Sequence, residues 1–151
     1  MKEFKSIDDI LDFAINNEQQ AVDFYTELAE TSKNDEMKAV FTQFAREEMG
    51  HKARLTRIKE DGAFTMRQEK VLDLKMSDYL VDVEPRPNMS YEEALVLAMK
   101  REKNAFKLYT NLAAQAPTDD LKKIFQSLAI EESKHKLRFE IEYDEVVMRE
   151  N

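Results

Sequence analysis

Glu48-Met49-Gly50-His51 and Glu132-Ser133-Lys134-His135 decide how this chain reads. Both are Glu-x-x-His, and both lie in strongly helical segments. Residues three apart on a helix share a face, about one turn from each other, so each pair aims a carboxylate and an imidazole at one point. Thirty positions upstream of each motif's glutamate stands another, Glu18 for the first and Glu102 for the second. Set on partner helices, these complete a group of four carboxylates and two imidazoles. Such a group suits a pair of divalent transition-metal ions.

Outward from the motifs, the chain repeats itself with a shift of 84 and no gap. Ser6-Ile7-Asp8-Asp9 meets Ser90-Tyr91-Glu92-Glu93. Leu11, Ala14 and Glu18 meet Leu95, Ala98 and Glu102, and Ala21, Tyr25, Leu28 and Ala29 meet Ala105, Tyr109, Leu112 and Ala113. Further on, Lys38, Phe41, Ala45, Glu47, Glu48 and His51 meet Lys122, Phe125, Ala129, Glu131, Glu132 and His135. Within each copy the apolar residues step by three and four, the period of a helix with one buried face. Glu18, Glu48 and His51 interrupt that face where apolar residues belong.

The boundaries are marked as well. Ser6 with Asp9 is an aspartate version of the capping box, and Ser90 with Glu93 is the full one. The first helix is expected to run from about Ser6 to Thr31. The second starts after Asn34, with Asp35 and Glu36 in its positive first turn, and ends near Asp61-Gly62. Thr118, after Pro117, caps the last helix as Asn34 caps the second. Residues 63 to 89 break the pattern. Val71, Leu72 and Leu74 suggest a short extended or helical piece, Met76 to Val81 can hold a turn or two, and Pro85 and Pro87 stop any helix.

Short turns inside each repeat make its two helices antiparallel neighbours, and the long connection can run the length of a bundle. The expected fold is all-α, an antiparallel four-helix bundle of two repeated hairpins. It forms a single domain over 1–151, with hairpin one at about 6–61, a crossover at 62–89 and hairpin two at about 90–148. Val96 faces Asp12 in the repeat, and Val146, Val147 and Met148 lengthen the last helix, so hairpin two has apolar surface that its twin lacks. Val71, Leu72, Leu74 or Leu80 of the crossover is expected to cover part of it, or a second subunit does, which makes a homodimer.

Composition narrows the function. The formal charge is −8 and the sequence pI about 4.9, which argues against a nucleic-acid partner and gives no reason for binding anionic lipid. There is no cysteine, hence no disulfide, cysteine-ligated zinc, iron–sulfur cluster or rubredoxin-type iron centre. The longest apolar run, Ala94 to Met99, is far too short to span a bilayer, and no apolar signal core precedes the first helix. A cytoplasmic protein without a membrane partner is expected.

Burying ionised carboxylates without compensation costs several kcal/mol each, so four on inward faces need strong opposite charge. Two divalent cations supply it. The candidate metal ligands are therefore Glu18, Glu48, His51, Glu102, Glu132 and His135. Mixed carboxylate and imidazole donors favour two iron ions, with manganese or zinc possible. Tyr25 and Tyr109 stand seven positions, two turns, after Glu18 and Glu102 and share their face. Glu47 and Glu131 adjoin ligands but turn about 100° away, toward solvent.

Glu-x-x-Ala-x-x-x-Tyr followed by Glu-x-x-His, present twice, resembles the rubrerythrin branch of the ferritin-like superfamily. The resemblance covers nearly the whole chain apart from the crossover. It implies a ferritin-like bundle in which Glu48 and Glu132 bridge two irons, with Glu18, Glu102, His51 and His135 as terminal ligands. It also implies that Tyr25 and Tyr109 hydrogen-bond the ligand carboxylates. The implied activity is oxidoreduction of hydrogen peroxide or dioxygen with electrons from a separate donor protein. Oxidation of ferrous iron, or a non-catalytic metal-stabilised or redox-sensing bundle, are the alternatives. The sequence departs from the family pattern in lacking a four-cysteine rubredoxin domain. It also carries Ala105, like Ala21, where an additional glutamate usually follows the terminal carboxylate of the second hairpin.

Overall fold

Among the described residues, four long helices and two short ones form in the order set by the caps. A computed structural model describes residues 3–81, 85 and 88–150. Helix α1 spans Ile7–Thr31 and α2 Asp35–Asp61; a short α3 (Gln68–Asp73) and a 3-10 turn (Met76–Asp78) follow; α4 spans Tyr91–Gln115 and α5 Asp119–Glu150. No strand occurs among the described residues.

Each cap expected from the sequence is made. The Ser6 hydroxyl accepts from the Asp9 amide at 3.2 Å, while the Asp9 carboxylate reaches back one residue further, to the Lys5 amide at 2.9 Å. Asn34 accepts from the Met37 amide at 3.2 Å, and Thr118 from the Leu121 amide at 3.2 Å. Ser90 and Glu93 satisfy each other's amides at 3.1 Å, a complete capping box. Caps of this kind stabilise a helix start by about 0.5–2 kcal/mol each. Helix α2 stops at Gly62, whose φ of 64° lies in the left-handed region that glycine enters without a Cβ clash.

The chain divides into two compact units, one built on Phe4–Leu72 and one on Asp73 onward. In the first, α1 and α2 pack against each other as an antiparallel pair. Lys52 reaches Gln19 at 2.7 Å and Lys59 reaches Asp12 at 2.6 Å, so a step forward on one helix matches a step back on the other. The buried residues follow the expected stripes: Ile10, Leu11, Ala14, Ala21, Val22 and Tyr25 on α1, and Met37, Phe41, Ala45, Leu55 and Ile58 on α2. Phe4 packs edge-on to Phe13 at 5.3 Å, and the Gln68 amide donates to the Lys5 carbonyl at 3.1 Å, which ties the start of α3 to the start of α1.

In the second unit α4 packs on α5, with Leu95, Ala98, Tyr109 and Leu112 buried on one helix and Phe125, Leu128 and Phe139 on the other. The crossover is anchored to α4, but by a different residue from those expected. Tyr79 is 3% exposed; the Asn111 amide donates to its hydroxyl at 2.6 Å, and the Asn104 amide donates to its carbonyl at 3.3 Å and to that of Leu80 at 3.0 Å. Of the apolar residues expected to cover hairpin two, Val71 is buried and Leu74 half-buried, while Leu72 and Leu80 are exposed. Val96 is half-buried and lines an open pocket of about 440 Å³ with Met89 and Tyr143. Polar docking onto the outer face of α4 takes precedence over apolar covering because Asn104 and Asn111 offer donors to a segment with few backbone bonds of its own. Pro85 is non-helical as expected, and Pro87 lies outside the described residues.

Candidate metal centre

Antiparallel pairing decides what meets at the middle of each hairpin. Glu18 and Glu48 are equally distant from the turn at Lys33, and Glu102 and Glu132 from the turn at Pro117. The two helices of a hairpin therefore present these glutamates at one level. The i, i+3 step then adds His51 beside Glu48, and His135 beside Glu132.

In hairpin one the His51 Nδ1 lies 3.3 Å from Glu48 Oε1 and 3.6 Å from Glu18 Oε2. In hairpin two the His135 Nδ1 lies 3.4 Å from Glu102 Oε1. One donor atom from each of Glu18, Glu48 and His51 falls within 4.8 Å of the others, and the same holds for Glu102, Glu132 and His135. Every one of the six residues is at most 2% exposed. The structure thus brings the three residues of each triad together.

The donor chemistry fits a transition metal. Two carboxylates within 4.8 Å of each other, shielded from water, repel unless a proton or a cation lies between them. An imidazole in the same triad supplies the nitrogen donor that iron, manganese and zinc accept and magnesium or calcium does not need. Thiolate competition is absent, since the chain has no cysteine.

Tyr25 and Tyr109 are 0% and 1% exposed, on the same helix faces as Glu18 and Glu102. The Tyr25 ring meets Phe44 edge-on at 6.5 Å, and the Tyr109 ring meets Phe125 at 6.1 Å. Phe41 and Phe125 are fully buried, and Glu47 and Glu131 are half-exposed.

A buried polar pair in hairpin two escaped the sequence reading. Glu142 is 2% exposed, and its Oε2 accepts from the Tyr91 hydroxyl at 2.8 Å, with an Arg149 guanidinium nitrogen at 3.8 Å. Burial first, then the bond to Glu142 and its charge, push the Tyr91 hydroxyl well above the usual phenol range. A signal existed in the repeat. The shift of 84 sets Tyr91 on Ile7 and Glu142 on Ile58, so two apolar positions become polar together.

Comparison with known proteins bears on the same features. The rubrerythrin family model matches residues 9–143. The chain belongs to the rubrerythrin family. No curated protein matches it. Among solved structures, this rubrerythrin-family chain is similar to a Thermotoga maritima protein assigned to the ferritin-like diiron-carboxylate class. The TM-score is 0.78 at 22% identity, over 97% of this chain and 99% of that one. That likeness shows the fold, a ferritin-like helical bundle. Family membership and the buried carboxylate–histidine triads together fit a di-iron protein. No helix among the described residues is long and apolar enough to cross a membrane.

Proposed function

We propose that Glu18, Glu48, His51, Glu102, Glu132 and His135 hold two iron ions. The protein then acts as an oxidoreductase on hydrogen peroxide or dioxygen, with electrons from a separate donor protein in the cytoplasm. The observation that carries this reading is the same triad, two carboxylates and an imidazole at most 2% exposed, built in both hairpins. Bound ferrous ions would supply the two electrons that, with two protons, reduce one peroxide to two waters.

The chain's own residues do the rest. Four carboxylates balance the charge of two divalent ions, so the loaded site is neutral inside a buried setting where net charge is unfavourable. His51 and His135 give neutral nitrogen donors, each held by the helix turn it shares with Glu48 or Glu132. Glu48 and Glu132 would each bind metal beside the imidazole of their own helix turn. Tyr25 and Tyr109 bring hydroxyl groups to the faces of Glu18 and Glu102, where they can orient a carboxylate or hold a proton.

Ferrous iron oxidation is the second reading. Ala21 and Ala105 support it, because neither hairpin has the additional glutamate that the family pattern carries in hairpin two. Reconstitution with ferrous iron under anaerobic conditions, followed by metal analysis, separates the outcomes. About two ions per chain are expected, as in di-metal bundles of this donor set; fewer than one removes the metal reading. Stoichiometric re-oxidation by peroxide that outruns re-oxidation by dioxygen supports the peroxidase. The reverse order supports iron oxidation, and inertness to both leaves a non-catalytic bundle.

A further inference from the structure

The two hairpins treat the same groove differently. In hairpin one Lys59 of α2 reaches Asp12 of α1 at 2.6 Å. Beside that pair the ring of Phe4, 1% exposed, packs edge-on against Phe13 at 5.3 Å. An ion pair and an aromatic ring thus occupy the flank of α1 near its start. The shift of 84 carries Asp12, Lys59, Phe4 and Phe13 onto Val96, Tyr143, Asn88 and Leu97. Val96 cannot pair with Tyr143 as Asp12 pairs with Lys59, and Asn88 is exposed and has no ring to offer. At this place hairpin two has an open pocket of about 440 Å³, lined by Val96, Leu97 and Tyr143.

The lining describes what would fill it. Leu97 is 1% exposed and forms an apolar floor, with half-buried Val96, Met89 and the Tyr143 ring around it. The volume lies within the range of small-molecule sites. Hairpin one shows the shape that suits the position, an aromatic ring laid on the counterpart of Leu97. The charges of the pocket also sort by comparison with hairpin one. Glu92 and Glu93 stand where Asp8 and Asp9 stand, as first-turn acids that a helix start favours, and Glu93 accepts from the Ser90 amide. Lys100 has no such precedent. It replaces Asn16, is exposed, and lines the pocket about 12 Å along α4 from Glu92. The charge that hairpin two adds to this groove is therefore positive.

We propose that this pocket binds a small planar aromatic carboxylate. The ring lies over Leu97 between Val96 and Tyr143, where stacking on a phenol ring favours it. The carboxylate turns to Lys100, away from the acids of the first turn. The site is distinct from the metal centre and independent of the metal reading, because none of its side chains belongs to a triad.

Equilibrium dialysis of 1-naphthoate against the full chain tests it, with and without ferrous iron. One saturable site per chain is expected, with a dissociation constant of about 1 mM for a ligand of this size. Two variants rebuild the hairpin-one arrangement. Val96→Asp with Tyr143→Lys restores the ion pair, and Asn88→Phe restores the ring; each should weaken binding about tenfold or more while keeping the native helicity. Lys100→Asn should weaken 1-naphthoate several-fold and leave the neutral 1-naphthalenemethanol unaffected. Absence of saturable binding, or binding undiminished in both rebuilt variants, overturns the site. Equal losses for the charged and neutral probes in Lys100→Asn overturn the carboxylate contact.

Discussion

Replacing Tyr91 with Phe tests how hairpin two holds a buried carboxylate that hairpin one does without. Glu142 is 2% exposed, and Tyr91 donates to it at 2.8 Å. Phenylalanine keeps the ring and removes only the hydroxyl. A hydrogen bond to a charged group contributes about 1.5–3 kcal/mol, and its loss leaves Glu142 short of a donor. Arg149 compensates little, since it stands 3.8 Å away and is 59% exposed. Tyr91 itself is only half-buried, so water reaches part of the vacated space and the lower half of that range is expected. At about 2–4 °C per kcal/mol for a chain of this size, the melting temperature should fall by roughly 3–9 °C.

The first hairpin supplies the control. Its residues at these positions are Ile7 and Ile58, and Ile58 is 6% exposed. Tyr91→Ile combined with Glu142→Ile removes donor and acceptor together and refills the space with apolar atoms. Replacing a buried polar pair in this way is often neutral or stabilising. The double variant should therefore melt near or above the native chain, although Tyr91→Phe alone melts below it. Thermal unfolding followed by circular dichroism reads both. An unchanged melting temperature for Tyr91→Phe, or a double variant less stable than the single one, would refute the reasoning.

The same tyrosine gives the stability an alkaline limit. Burial and Glu142 raise its pKa in the folded state, so its contribution is intact below about pH 10, the unfolded value, and declines as pH rises beyond it. Melting curves should show the gap between native and Tyr91→Phe proteins constant at neutral pH and narrowing above about pH 10; a gap that widens there contradicts the assignment. Asn104→Ala removes the donor to the Tyr79 and Leu80 carbonyls and should cost about 1 kcal/mol, with faster amide hydrogen exchange across residues 76–81. Exchange unchanged in that segment would mean that the crossover is held elsewhere. Ferrous iron at a hundredfold excess over its dissociation constant should stabilise the native fold by ~2.7 kcal/mol, and Glu132→Ala should lose most of that gain while staying helical without metal. A variant with the full iron-induced rise in melting temperature would remove Glu132 from the proposed site.

What the sequence made legible was local or repeated. Caps lie within four residues of the helices they start, and each was readable from its own stretch, down to Ser6, Asn34, Ser90 and Thr118. The triads were readable because helical spacing fixes Glu48 against His51 and the antiparallel turn fixes Glu18 opposite Glu48. Tyr79 was not. Its partners Asn104 and Asn111 sit 25 and 32 residues away, on a polar face of α4 that a count of apolar residues passes over. Leu80, the more hydrophobic neighbour, attracted the expectation and stays 45% exposed.

The two hairpins also explain which differences the fold tolerates. A substitution in one repeat that reaches a triad would disturb donors brought together by two helices at once, and Glu18, Glu48 and His51 have the same residue types as Glu102, Glu132 and His135. Two sets of divergent positions lie away from those donors. Ile7 and Ile58 become Tyr91 and Glu142 toward the open end of the hairpin, and the substituted pair satisfies itself through one hydrogen bond. Arg46, Ala53 and Arg57 become Ile130, Leu137 and Ile141 on an outer face, where no partner within the hairpin constrains them. An exposed polar face turned apolar lowers solubility unless something covers it. The divergence of α5 from α2 on that face is therefore one that the packing of the hairpin does not itself require.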